Sequence, residues 1–260
     1  MNIGIITSTA NEKIKRIRSL SAKKNRDAEA VFVVEGAEHI KKALDNDFEI
    51  ETLLFTTEVK NAFTTQQIRK ANKKAAMYEI NDKVASYATN RDNAQNVIAV
   101  FKQKYNDIKI IEQGLWLGLE NVRDPGNLGT IIRTADAVGV QGIILIGNTC
   151  DAFSPEVIRA TTGSFSAVPL IRASLEEFIE WRGGFAGSVI GTHLNKKAAD
   201  YRKLKVDLPA VVLMGSEQSG LTDEICATCD IFAKIPMREG VESLNLAVST
   251  GIMLYALDWS

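Results

Sequence analysis

The chain has 260 residues, 45% hydrophobic and 24% charged, which is the composition of an ordinary globular protein with room for two modest domains. Three cysteines cannot build a disulfide framework, no apolar run approaches the roughly 18 residues of a membrane span, and Met1–Ser8 lacks the charged region and cleavage site of a signal peptide, so a reduced, cytoplasmic setting is expected. The net charge of −1 conceals a split, because residues 1–105 carry 18 Lys/Arg against 13 Asp/Glu while residues 106–260 carry 13 against 19.

From Asn11 to Ser21, Ile14, Ile17 and Leu20 recur at threes on a basic background and predict an amphipathic helix. Seven cations (Lys13, Lys15, Arg16, Arg18, Lys23, Lys24 and Arg26) fall in an acid-free stretch here, and Arg69, Lys70, Lys73 and Lys74 form a second cluster. Such clusters are either nucleic-acid patches or solvated helix faces, and the sequence leaves both readings open. Ala30–Glu35 predicts a strand ended by Gly36, followed by a helix carrying Ile40, Ala43 and Leu44. A strand at Thr52–Phe55, a helix near Gln66–Asn72, a strand at Ala76–Ile80, a helix at Asp82–Tyr87 and a strand at Val97–Phe101 complete a small α/β layer domain.

The polar stretch Lys102–Asp107 marks the boundary, giving domains 1–105 and 106–260. A second α/β series follows. Leu115–Leu119 predicts a strand, Leu128, Ile131, Ile132, Ala135 and Val138 share one helix face, and Gly139 is the expected C-cap. Gly142–Ile146 predicts a strand, Ser154-Pro155 a helix start, Phe165–Leu170 a strand, Leu175–Trp181 a helix and Ser188–Thr192 a strand, before the polar loop at Asn195. Ala210–Met214 and Asp230–Ile235 read as buried strands, with Thr222 capping a short helix between them. The final helix, from about Ser243, is apolar on every side and is expected to be buried nearly all round. Two strand ends thus open into glycine-containing loops with polar side chains: Ser216 and Glu217 in one, Arg238, Glu239, Ser243 and Asn245 in or after the other. Ligands of open α/β folds bind at such places.

Several chemistries are excluded. No G-x-G spacing exists for a dinucleotide fingerprint, no GK[ST] for a P-loop, and His39 and His193 have no nucleophile elbow beside them. Cys226 and Cys229 form a lone CxxC, and with Cys150 apart from it no zinc site is expected.

Three segments point elsewhere: Asn121-Val-Arg-Asp-Pro-Gly-Asn-Leu-Gly-Thr-Ile-Ile-Arg133, Leu213-Met-Gly-Ser-Glu-Gln-Ser-Gly-Leu221, and Ile235-Pro-Met-Arg-Glu-Gly-Val-Glu-Ser-Leu-Asn245. In order and spacing they resemble the three motifs of the SpoU (TrmH-like) branch of the SPOUT methyltransferases, over about residues 115–257. The first half, with Phe32-Val-Val-Glu-Gly36, resembles the L30e-like substrate-binding domain often joined to that family. The resemblance implies a two-domain α/β protein: a small L30e-like α/β layer domain, then a SPOUT α/β domain with a trefoil knot. It implies transfer of a methyl group from S-adenosylmethionine to an RNA ribose 2′-hydroxyl, without a metal, by a homodimer. Ribosomal RNA, 23S in particular, is the expected substrate. The alternatives are tRNA, or a catalytically silent RNA-binding or ribosome-assembly factor on the same scaffold.

Carried over by position, Asn127 and Arg133 match the first motif's polar pair, Glu217 the second motif's acid, and Ser243 and Asn245 the third motif's pair. Gly215, Ile235, Met237 and Leu244 would lie against the cofactor. Gln218 departs from the glycine often present there. Lys13, Lys15, Arg16, Lys23, Lys24 and Arg26 are the expected RNA contacts. Ser243 and Asn245 could equally cap the last helix.

Overall fold

A computed structural model describes residues 3–59, 75–194 and 198–258. The helix expected near Gln66–Asn72, the second basic cluster and the loop at Asn195 lie outside the described residues. The chain divides into two compact units, residues 1–104 with 153–167, and residues 105–152 with 168–260.

The first unit has a five-stranded sheet in the order β1-β4-β3-β5-β2, from β1 (Gly4–Ile6), β2 (Val31–Glu35), β3 (Ile50–Thr56), β4 (Ala76–Ile80) and β5 (Val97–Lys102). β2 and β3 each pair antiparallel with β5, and the β3–β4 and β4–β1 pairs are parallel. Asn11 caps α1 (Glu12–Ser19) by accepting from the Lys13 amide, and Ile14 and Ile17 pack with Leu20, Val84 and Ala88, the last two from α4 (Asp82–Thr89). α2 (Lys23–Glu29) is not anticipated by the apolar pattern, because the one residue it buries is Arg26. α3 (Ala37–Asp45) follows β2 across Gly36, whose φ of +95° suits glycine.

The segment 153–167 comes from the second half of the sequence but packs in the first unit. It contains α6 (Pro155–Ala160), opened by Ser154 and Pro155 as expected. Phe153 sits 4.5 Å from Phe32, and Phe165 lies edge-on to Phe32 and Phe48 at 5.6 and 5.8 Å. Phe165 therefore does not begin a strand. Ser164–Ser166 is a 3₁₀ turn after Gly163, and the next strand starts only at Leu170.

The second unit is a seven-stranded sheet whose pairs are all parallel, in the order β10-β12-β9-β11-β6-β7-β8. Its strands are β6 (Leu115–Glu120), β7 (Gly142–Ile146), β8 (Leu170–Ala173), β9 (Ser188–Thr192), β10 (Ala199–Asp200), β11 (Ala210–Met214) and β12 (Ile231–Lys234). β6, β7 and β11 are buried at every position, which is why they read as continuous apolar runs. Strand β11 comes late in the chain yet lies between β9 and β6 in the sheet interior. The helices are α5 (Pro125–Val138), α7 (Leu175–Gly184), α8 (Asp223–Cys226) and α9 (Leu246–Asp258).

α9 packs along α5, close enough at Gly251 that an added Cβ would lie 3.4 Å from Thr134. It is not buried all round. Met253 and Leu254 face inward, but Val248 is 53% and Tyr255 47% exposed. Among the described residues no element covers its outer apolar face.

Candidate active site

The C-terminal ends of β9, β11 and β12 lead into loops that enclose a cavity of about 440 Å³. Gly215 starts the turn after β11. An added Cβ there would lie 2.0 Å from the Gly220 carbonyl carbon, so only glycine allows the chain to fold back so tightly. The turn closes through Ser216 N–H to Gly220 O (3.1 Å) and Gly220 N–H to Ser216 O (3.0 Å), with the Ser216 and Ser219 hydroxyls 2.8 Å apart. Gln218 is exposed in it. Ile235, Met237, Leu244, Leu246 and Met253 supply apolar lining, and Ser243 and Ser249 supply hydroxyls. The volume falls within the roughly 300–1,000 Å³ of small-molecule sites, and apolar lining beside irregular backbone fits a flat base and a polar tail. S-adenosylmethionine has both parts, so the residues present fit it.

Beside the cavity, α5 begins at Asp124, whose side chain accepts from the Asn127 amide at 2.6 Å, with Pro125 in the first turn. This cap presents Asn127 to two other loops. Its Nδ2 donates to Glu217 Oε1 at 2.7 Å, and its Oδ1 accepts from Asn245 Nδ2 at 2.9 Å. Asn245 Oδ1 in turn accepts from the amides of Ala247 (2.9 Å) and Val248 (3.2 Å), so it caps α9 as well. One residue from each motif thus joins a single hydrogen-bonded chain, Glu217–Asn127–Asn245. The capping and site readings of Asn245 hold together. Ser243 lines the cavity without joining the chain, and Glu217 holds Asn127 rather than an arginine. Arg133 lies on α5 about 9 Å along the axis from Asn127. It is exposed and has no ion pair or hydrogen bond among the described residues.

Sequence reasoning missed Glu120. It ends β6 with 1% exposure, and its oxygens accept from Thr222 N–H (2.9 Å) and Thr222 Oγ1–H (2.6 Å). Thr222 caps α8 two residues after the cavity-lining turn, so this carboxylate ties the exit of the turn to the sheet. The available signal was an acid closing an otherwise wholly apolar run.

The basic cluster of the first unit is largely engaged in the fold. Arg26 is 3% exposed and donates to the carbonyls of Leu20 and Ser21 at 2.7 Å each, so its expected RNA contact is corrected to a structural role. Arg16 bonds Glu51 at 2.6 Å and also pairs with Glu29; Glu51 foremost raises its pKa. Lys15 pairs with Glu12, Lys23 with Asp27, and Lys13 lies over the Tyr78 ring at 5.6 Å. Lys24 is exposed and has no such partner among the described residues. Burial pushes the Cys150 and Cys229 thiols up to about 12 and raises that of Cys226, the opposite of a reactive cysteine. Among the described residues no cluster of His, Cys, Asp or Glu could hold a metal, and no helix is long and apolar enough to cross a membrane.

A parallel sheet with a glycine-turned cavity at its strand ends, and a polar chain drawn from three motif loops, agree with the SPOUT methyltransferase class that the motifs resemble. Residues 114–255 match the SpoU rRNA Methylase family and residues 11–99 the MRM3-like substrate binding domain. The chain belongs to the SpoU rRNA methylase family, whose members are S-adenosylmethionine-dependent RNA methyltransferases. It is 28% identical to the 23S rRNA (guanosine(2553)-2′-O)-methyltransferase RlmP of Bacillus subtilis (strain 168), covering 97% of this chain and 98% of that protein. An uncharacterized tRNA/rRNA methyltransferase of Synechocystis sp. is 30% identical over 98% of this chain and 93% of its own length. The crystal structure of an AdoMet-bound rRNA methyltransferase from Sinorhizobium meliloti superposes with a TM-score of 0.90 at 41% identity, covering 98% of this chain and 97% of that one.

Proposed function

We propose that the protein methylates a ribose 2′-hydroxyl of ribosomal RNA, in the large-subunit 23S molecule, with S-adenosylmethionine held in the cavity between Gly215 and Leu244. The observation that carries this reading is the Glu217–Asn127–Asn245 chain, which fixes the rim of that cavity against the helix bearing the unpaired Arg133. When bound, the cofactor supplies an electrophilic methyl group on a sulfonium. Ile235, Met237 and Leu244 would hold its apolar parts, and Ser243 a polar one. Arg133 binds the RNA phosphate next to the target ribose and orients the hydroxyl. Its guanidinium stays charged, so it acts by position and charge rather than as a base. Asn127 and Asn245 keep the loops in one arrangement, which serves proximity. The full-length likeness to a 23S rRNA 2′-O-methyltransferase supports this substrate over tRNA.

The open apolar face of α9, with Val248 and Tyr255, is the face of a symmetric homodimer that covers it with a second copy. The protein works in the cytoplasm, where its RNA substrate is. The test is to map 2′-O-methyl positions in total RNA with and without the gene, and to titrate the pure protein with S-adenosylmethionine by calorimetry. One ribosomal position losing its methyl group, together with saturable cofactor binding, is expected. An unchanged ribosomal map, or no cofactor binding, overturns the proposal; a methyl group lost from tRNA then favours the tRNA alternative, and no loss in any RNA the silent RNA-binding factor.

A further inference from the structure

The first unit contains a cavity of about 350 Å³ that none of the roles above uses. Its apolar lining comes from Ile17, Val33, Ala88 and Ile158, and its polar lining includes Arg18, Arg91, Arg159 and His39, against the single carboxylate of Glu35. Two of the arginines are partly engaged. Arg18 lies 4.3 Å from the Tyr87 ring and donates to Tyr87 O (2.6 Å) and Asn90 Oδ1 (2.7 Å), while Arg91 meets Glu35 at 3.4 Å. Arg159 pairs loosely with Glu156, at 3.7 Å on its own short helix, and its side chain remains 41% exposed. α3 starts at the cavity with Gly36, which has no side chain to cap the helix's first amides. Those amides and the three arginines favour an anion there, against the carboxylates of Glu35 in the lining and of Glu38, which is exposed in the first turn of α3.

An apolar slot with a cationic lining is complementary to a flat base that carries a phosphate. Duplex RNA offers no such group, because its bases are stacked and paired. An unpaired nucleotide offers both parts. We infer that this cavity takes one unstacked nucleotide of the RNA substrate, its base on the apolar lining and its phosphate on Arg159 and the α3 amides. Recognition of an unpaired nucleotide would thus lie in the first unit, in a pocket completed by residues 153–167 rather than on the Lys13–Arg26 helix surface. The inference rests on the reading of RNA as the substrate.

The full-length chain provides the test. Fluorescence anisotropy would compare a ribosomal hairpin bearing unpaired loop nucleotides with its fully paired counterpart, for the wild type, Arg159→Glu and Gln95→Trp. Gln95 is an exposed lining residue, so tryptophan there fills the cavity without disturbing the core. Both variants should bind the hairpin about tenfold more weakly, Arg159→Glu through the loss of one charged hydrogen bond and Gln95→Trp by occupying the slot. The log–log salt slope should fall by roughly 0.7–0.9 in Arg159→Glu, and by no more than that in Gln95→Trp, which displaces the base. Cofactor titration should be unaltered in both. Adenosine and uridine monophosphates should compete only weakly; displacement of the hairpin by micromolar mononucleotide would overturn an RNA ligand in favour of a free nucleotide. Wild-type affinity and slope in both variants would overturn the pocket while leaving the methyltransferase reading intact. A wild type that binds no RNA would sink that reading, and this inference with it.

Discussion

Replacing Glu120 by alanine tests how the cavity-lining turn is held. The carboxylate is 1% exposed, and both of its bonds to Thr222, at 2.9 and 2.6 Å, disappear in Glu120→Ala. A hydrogen bond to a charged group contributes about 1.5–3 kcal/mol, and the two bonds share one partner, so the loss should be about 3 kcal/mol rather than the full sum. Against a typical domain stability of about 5–15 kcal/mol this is a large fraction, and urea denaturation followed by tryptophan fluorescence would read it as a lower midpoint. Thr222→Val removes the hydroxyl bond to Glu120, about half of that loss, and also the α8 cap bond from the Ile225 amide, about 1 kcal/mol more. The double variant should exceed Glu120→Ala alone only by the cap, because the hydroxyl bond to Glu120 is then already gone. Cofactor affinity should fall in parallel, since Thr222 holds the exit of the turn that starts at Gly215. Glu120→Ala within about 0.5 kcal/mol of wild type, or a fully additive double variant, would refute the anchoring role.

Arg133→Ala should lower turnover on saturating RNA by about two orders of magnitude or more with cofactor affinity unchanged, measured by methyl transfer and calorimetry; near-normal turnover would remove Arg133 from the mechanism. Light scattering should give about 57 kDa, twice the 28.5 kDa chain, and Tyr255→Arg should halve it; a fully active wild-type monomer would defeat the dimer. Cys150 and Cys229, pushed up to about 12 by burial, should resist iodoacetamide at pH 8 until urea unfolds the chain. Because the folded thiols keep protons that the unfolded ones lose, stability should fall as pH rises from about 8.5, the ordinary thiol value. A fragment beginning near Asp107 should aggregate when expressed, because Phe153 and Phe165 lose the rings of Phe32 and Phe48; a soluble, cofactor-binding fragment would contradict that packing.

The parts of the fold that read correctly from sequence are those where burial leaves a simple pattern. β7, β9 and β11 carry apolar runs bounded by turn residues, and their limits agree with expectation. The end of α5 is likewise written in Gly139, its C-cap. Signals failed where the partner lies far away in sequence. α2 shows no apolar stripe because it buries an arginine whose guanidinium is satisfied by the carbonyls of Leu20 and Ser21. Phe165 looks strand-like, but its ring is drawn into an aromatic cluster more than a hundred residues earlier in the chain. The motif segments named Asn127, Glu217 and Asn245, yet nothing local could show that they touch, and Glu120 declares its role only through a threonine 102 positions later. On α9 the apolar pattern was real; the inference that every apolar side must be covered by the same chain was not.

Because residues 153–167 belong to the first unit, the chain passes between the two units three times. This has a consequence for synthesis on the ribosome. An N-terminal domain usually folds as soon as it has emerged. Here the aromatic centre around Phe32 lacks two of its rings until residue 165 has left the exit tunnel, by which time the first two strands of the other sheet, β6 and β7, have already been made. The first unit therefore matures late, alongside the beginning of the second, and the order of folding does not follow the order of the two halves in the gene.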